Sequence, residues 1–185
     1  MELWKACENG NVEKVIRLLQ NSRIKVNWQD PEDSTTPLYI ACFEGHIEIV
    51  KLLLNDHRVD INKSDDDDET PFYSACENGH IEIVKLLLND KRTDVNKANE
   101  DGETPFQIAC ENGDTDLVEL LLKDQRVDIN KADDEGWTAF SSACYKGHFK
   151  IVNLLRNESI LFFLSFIKLF FLSFLTILFY LLFFS

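Results

Sequence analysis

Five cysteines, Cys7, Cys42, Cys76, Cys110 and Cys144, are spaced 35, 34, 34 and 34 residues apart. Each sits in one recurring phrase: Ala6-Cys7-Glu8-Asn9-Gly10, Ala41-Cys42-Phe43-Glu44-Gly45, Ala75-Cys76-Glu77-Asn78-Gly79, Ala109-Cys110-Glu111-Asn112-Gly113 and Ala143-Cys144-Tyr145-Lys146-Gly147. A fixed period in this range means a stack of small units, none of which buries its apolar face alone. The period also bears on function. Nothing in a quasi-linear array converges on one catalytic pocket, so the expectation is a binding surface.

Residues 101–134 show what each unit builds. Thr104 can cap a helix start with its hydroxyl, and Pro105 falls at the first helical position, where its missing N–H costs nothing. The helix runs through Phe106, Ile108, Ala109 and Cys110 and stops at Asn112-Gly113, a left-handed-capable ending. A second helix carries Leu117, Val118, Leu120, Leu121 and Leu122, with closer relatives in Ile47–Leu54 and Ile81–Leu88. Its apolar positions exceed one stripe, so it must be covered on two sides. The return segment Asp124-Gln125-Arg126-Val127-Asp128-Ile129-Asn130 alternates and is extended. Each unit thus reads helix, tight turn, helix, extended turn, which predicts ten helices in five antiparallel pairs.

The run from Thr70-Pro71-Phe72-Tyr73-Ser74-Ala75-Cys76-Glu77-Asn78-Gly79-His80 to Leu88, closing in Asp94-Val95-Asn96, resembles an ankyrin repeat. The resemblance covers residues 1–158 in units of about 1–32, 33–66, 67–100, 101–134 and 135–158. It implies an all-α solenoid whose helical pairs carry extended β-turn tips, with 159–185 as a separate hydrophobic tail. Two departures stand out. Where the family has His after Thr-Pro-Leu, this chain has Tyr39, Tyr73, Gln107 and Ser141, which leaves open how the turns are braced. Where the family has Gly after the second helix, Asp-x-Arg and one extra position give a period of 34.

The net charge of −13 belongs to the repeats: residues 1–158 carry 18 basic and 32 acidic side chains. Nucleic acid is excluded as a partner on that ground, because its non-specific affinity comes from Lys and Arg on phosphates. The cysteines recur at one slot, and successive helices lie roughly 10 Å apart. That is too far for disulfides, which need Cα atoms within about 7 Å, and too far for a shared zinc. They are expected to be buried, unbonded fillers of a small slot, which suits a reducing compartment. His46, His80 and His148 share a slot with Asn11 and Asp114, so they read as polar starts to the second helix. No nucleophile triad, phosphate loop or His-Glu-x-x-His is present, so no enzyme, cofactor or metal is expected. The run Asp65–Glu69 lacks the spacing of a calcium loop and reads as a solvated tip.

The ankyrin resemblance implies that partners lie along the turn tips and the exposed side of the first helices. By register these positions are Asp66, Asp67, Glu69 and Glu77, then Glu100, Asp101, Glu103 and Glu111, then Asp134, Glu135, Trp137 and Tyr145. An acidic strip ending in two aromatics suits a protein partner with a basic surface. The array itself is expected to be monomeric.

From Ile160 to Ser185, 20 of 26 residues are Leu, Ile or Phe and only Lys168 is charged. As a helix this segment is about 39 Å long, more than the hydrocarbon core. Its apolar side chains contribute roughly −6 to −12 kcal/mol to insertion, against about +3 for Lys168. No signal peptide precedes the repeats, so such an anchor would hold them on the cytosolic face of a membrane. A second reading stays open. The tail lacks Gly, Ala, Val, Asp and Glu, whose codons all begin with G, as translated AT-rich non-coding sequence would. The chain would then be a cytoplasmic piece of a larger ankyrin-bearing enzyme or channel.

Overall fold

The structure, a computed structural model, describes residues 1–157. Among the described residues there are ten helices and no strands. The first helices of the units are α1 (Glu2–Glu8), α3 (Pro37–Phe43), α5 (Pro71–Glu77), α7 (Pro105–Asn112) and α9 (Ala139–Lys146). The second are α2 (Val12–Leu19), α4 (Ile47–Leu54), α6 (Ile81–Asn89), α8 (Thr115–Leu121) and α10 (149–157). First helices pack in sequence from α1 to α9, and α2, α4 and α6 pack in a parallel row. This is the stacked all-α array that the period demands.

The helices begin where local chemistry dictates. The hydroxyls of Thr36, Thr70 and Thr104 accept from the backbone N–H groups of Tyr39, Tyr73 and Gln107 at 3.1, 3.1 and 3.2 Å. Proline follows each of these caps. In the last unit Ala139 replaces it, and Thr138 forms a capping box with Ser141. Gly113 (φ +80°) ends α7 in the left-handed conformation.

One core runs the length of the stack. Ile83, Val84 and Leu87 of α6 are fully buried, as are their counterparts Ile49, Val50 and Leu53. The core extends from Leu3 to Leu155, so residues 1–157 hold a core of their own. Cys7, Cys42, Cys76 and Cys110 are buried free thiols, as expected, and burial pushes Cys7 and Cys110 up to about 12. Cys144 is exposed. The expectation that all five would be buried fails there because no further unit covers α9 among the described residues. Phe140 shows the same effect: it is 44% exposed, while its register mates Leu38, Phe72 and Phe106 are at 1%.

Polar brackets tie each unit to its neighbour. The histidines do not cap the second helices as expected: His46 and His80 sit at the N-cap position but make no side-chain cap bond. Their rings reach the preceding unit instead. Nε2 of His46, His80 and His148 donates to the carbonyls of Glu8, Phe43 and Glu111 at 3.1, 2.9 and 2.8 Å. A ring can span that gap, whereas the shorter Asn11 and Asp114 do cap their own helices. On the opposite flank, Arg58, Arg92 and Arg126 are each gripped by the carboxylate two residues earlier, Asp56, Asp90 and Asp124. Each then donates to the carbonyl of Leu19, Leu54 or Leu88, at the end of the preceding second helix, where a cation suits the dipole. The Asp-x-Arg insertion that lengthens the period is therefore an inter-unit clamp. Asn27, Asn62 and Asn96 complete the set, each accepting from and donating to the next unit's extended backbone.

Candidate partner-binding surface

The turn tips are shaped by one side chain per unit. Oδ1 of Asp65 accepts from the N–H groups of Asp67 and Glu69, Oδ1 of Asn99 from Asp101 and Glu103, and Oδ1 of Asp133 from Glu135 and Trp137. Adjacent tips are stitched together by backbone bonds from Asp66 to Asp33, Glu100 to Asp67 and Asp134 to Asp101. The tips therefore form a continuous edge. Asp66, Asp67, Glu100, Asp101, Asp134 and Glu135 project from it, exposed.

Four of the six expected glutamates lie lower. Glu69, Glu77, Glu103 and Glu111 are half-buried between the tips and the first helices. Here the structure answers how the turns are braced without the family's histidine. Tyr39 donates to Glu69 at 3.0 Å and Tyr73 to Glu103 at 2.8 Å, while Gln107 donates to Asp133 at 2.7 Å and to the Trp137 carbonyl at 3.1 Å. Each side chain reaches from a first helix to the next unit's turn. Glu69 and Glu103 are thus partly structural, a role that register alone did not assign. Asp65 and Asp133 were also missed; the signal available was that Asp, Asn and Asp recur at a slot two and four residues before N–H groups needing acceptors.

Electrostatics follows from this packing. Burial raises the Glu69 carboxyl to about 7, with Glu77, Asp65 and Asp67 adding like charge, against the lowering effect of the Tyr39 hydroxyl. Burial also raises Glu77, Glu103 and Asp65. Glu111 has a cation: Lys146 Nζ lies 2.8 Å from it. Lys146 was legible as the break in the Glu-Asn-Gly phrase, but its partner was not. At that end Trp137 and Tyr145 meet edge to face, with ring centroids 5.5 Å apart. With Glu111, Asp133, Glu135, Ser142 and Lys146 they line a cleft of about 300 Å³. Larger clefts of about 500 and 430 Å³ lie between successive units, one lined by Leu19 and Leu52 and the other by Leu88 and Leu120. These recur in register and follow from stacking. Among the described residues, no group of three or more His, Cys, Asp or Glu could hold a metal ion.

The raised carboxyls predict a pH dependence. The folded array holds the Glu69 proton more tightly than the unfolded chain, whose glutamates titrate near 4.5. The resulting stability is present below about pH 4.5 and is lost as the pH rises through about 7. The urea midpoint should therefore fall between about pH 5 and about pH 8, and Glu69→Gln should flatten that fall. An unchanged slope in the variant would assign the dependence to other groups. On the acid side Asp56, Asp90 and Asp124 act oppositely: hydrogen bonds from their arginines hold them low. Their contribution is present above the ordinary aspartate value and is lost as the pH falls through the lowered one.

The family model for ankyrin repeats (3 copies) matches residues 3–99 and 91–161. No curated protein matches the chain. The family match spans the whole stack of caps, clamps and tips described above, and the chain belongs to the ankyrin repeat family.

Proposed function

We propose that the array is a non-catalytic scaffold or adaptor that binds a protein partner with a basic surface along its turn tips and first helices. The supporting observation is the row of half-buried carboxyls, three of them raised and the fourth already capped by Lys146. An arginine or lysine from a partner would relieve that like-charge crowding as Lys146 does at Glu111. The exposed acids of the tips would steer such a partner in, and the Trp137–Tyr145 pair offers an aromatic anchor beside the row.

Peptide-display selection on residues 1–157 should enrich sequences rich in Arg and Lys. Titration of an enriched peptide should show affinity at least about tenfold lower for Glu69→Gln/Glu103→Gln. Binding should strengthen as the pH rises through about 7, because Glu69 then gives up its proton. Enrichment of acidic or purely apolar peptides, indifferent to both substitutions, would refute the reading.

In the same proposal residues 160–185 anchor the array in a membrane, with the repeats on the cytosolic side. Among the described residues no helix is long and apolar enough to cross a membrane; the tail lies outside them. The support is compositional: about twenty Leu, Ile and Phe side chains leave water together. Full-length protein should resist alkaline carbonate extraction, a chain ending at Asn157 should not, and protease outside sealed vesicles should digest the repeats. Repeats protected from that protease would reverse the orientation.

A further inference from the structure

The last unit differs from the rest in charge and in cover. Residues 1–134 carry 15 basic and 30 acidic side chains, whereas the last unit, 135–158, carries Lys146, Lys150 and Arg156 against Glu135 and Glu158. Lys146 is turned to Glu111; Lys150 and Arg156 are exposed. Arg156 occupies the register slot held in earlier units by Leu54, Leu88 and Leu122, which pack partly against the core. The last unit also exposes large apolar side chains. Phe140 is uncovered where its register mates are sealed, and Phe149 is 77% exposed. A neighbour stacked here would meet an arginine where earlier units present leucine.

Position in the chain identifies the occupant. Only Glu158 and Ser159 separate the last described residue from the apolar segment 160–185. The three residue steps from Asn157 to Ile160 span at most about 11 Å, so the surface that the segment enters lies close to this end of the stack. We propose that the end of the stack that bears Phe140, Phe149, Lys150 and Arg156 docks on a phospholipid bilayer bearing anionic headgroups. The aromatic rings would sit at headgroup level, the depth such side chains favour. Lys150 and Arg156 would face lipid phosphates, and their attraction fades within a Debye length. The strongly acidic remainder is repelled by the same surface, so only an end-on pose is favourable. The units would stack away from the membrane, leaving the acidic tips open to a partner. This proposal rests on the anchoring reading, and the two can fail separately.

Cys144 supplies the probe, being the exposed thiol at this end while Cys7, Cys42, Cys76 and Cys110 are buried. Full-length protein labelled there with a fluorophore is reconstituted into vesicles of phosphatidylcholine with phosphatidylserine. The label should be quenched by a lipid-borne quencher, while one at the far end (Ser22→Cys in a Cys144→Ser chain) should not. Lys150→Glu/Arg156→Glu, both exposed positions, should at least halve the quenching and leave the helical circular dichroism intact. Residues 1–157 alone should co-sediment with these vesicles at low salt and at least about fivefold less with pure phosphatidylcholine. Carbonate-resistant full-length protein with an unquenched Cys144 label would overturn the docking and leave the anchor standing. Failure of the full chain to enter vesicles, with residues 1–157 still bound through Lys150 and Arg156, would sink the anchor alone. Dimers of residues 1–157 that bind no vesicle would assign the face to a second copy and overturn the proposal.

Discussion

Leu87→Ala should lower the unfolding free energy by about 2–5 kcal/mol, from lost burial and the cavity left behind. Leu87 is fully buried in the middle of the stack, and its own carbonyl accepts from Thr93 Oγ1 at 2.7 Å. The surrounding side chains belong to one contiguous core, so they have little freedom to collapse into the gap. Asp66→Ala, on an exposed tip, should stay within about 0.5 kcal/mol. Urea denaturation monitored by circular dichroism distinguishes them as a shifted midpoint at unchanged slope. Equal destabilisation by the two changes would contradict the register of the whole array. A shallower slope for Leu87→Ala would instead mean that the stack no longer unfolds as one unit, since repeats couple only to their neighbours.

Gly113→Ala should be more damaging than the chemically identical Gly147→Ala. Both glycines are left-handed, at φ +80° and +78°, and any side chain there costs about 1–2 kcal/mol. At Gly147 a new methyl group would meet nothing within 4 Å, whereas at Gly113 it would stand 2.5 Å from the His148 ring. That ring is held by its bond to the Glu111 carbonyl at 2.8 Å and cannot retreat without breaking it. The additional cost is about 1–3 kcal/mol, the range for overpacking. Adding His148→Ala to Gly113→Ala should recover part of the loss, a coupling that a double-mutant cycle reads directly. If the two glycine variants prove equally stable, the histidine bracket contributes nothing to the interface.

This comparison also marks where sequence reading stopped. The Thr caps, the Pro at the first helical position and the Gly endings were legible because both partners of each interaction lie within a few residues. The fully buried leucines were legible from their spacing. The histidine was misread because its partner lies 37 or 38 residues away in the preceding unit, and nothing local distinguishes a ring that caps from one that reaches back. The Asp-x-Arg insertion was recognised as a lengthened period, but its carbonyl partners could come only from the stack. Cys144 was misjudged for a different reason: its phrase matches those of the buried cysteines, and what differs is that no unit among the described residues covers it. At the candidate surface, register named twelve side chains but not that Glu69 and Glu103 are held by Tyr39 and Tyr73, since hydroxyl, amide and imidazole can serve one slot by different chemistry.

The histidine and arginine brackets run one way: each donates backward, and each receiving group is a main-chain carbonyl. Every residue has such a carbonyl, so the acceptor half of the joint does not depend on what the preceding unit's side chains are. An in-frame duplication or deletion of one whole period would therefore recreate these carbonyl acceptors at the one new junction it makes. Arrays of this kind can change length by recombination in a single step and remain folded. A duplication of half a period, by contrast, would put helices where turns must be and should not yield a foldable chain.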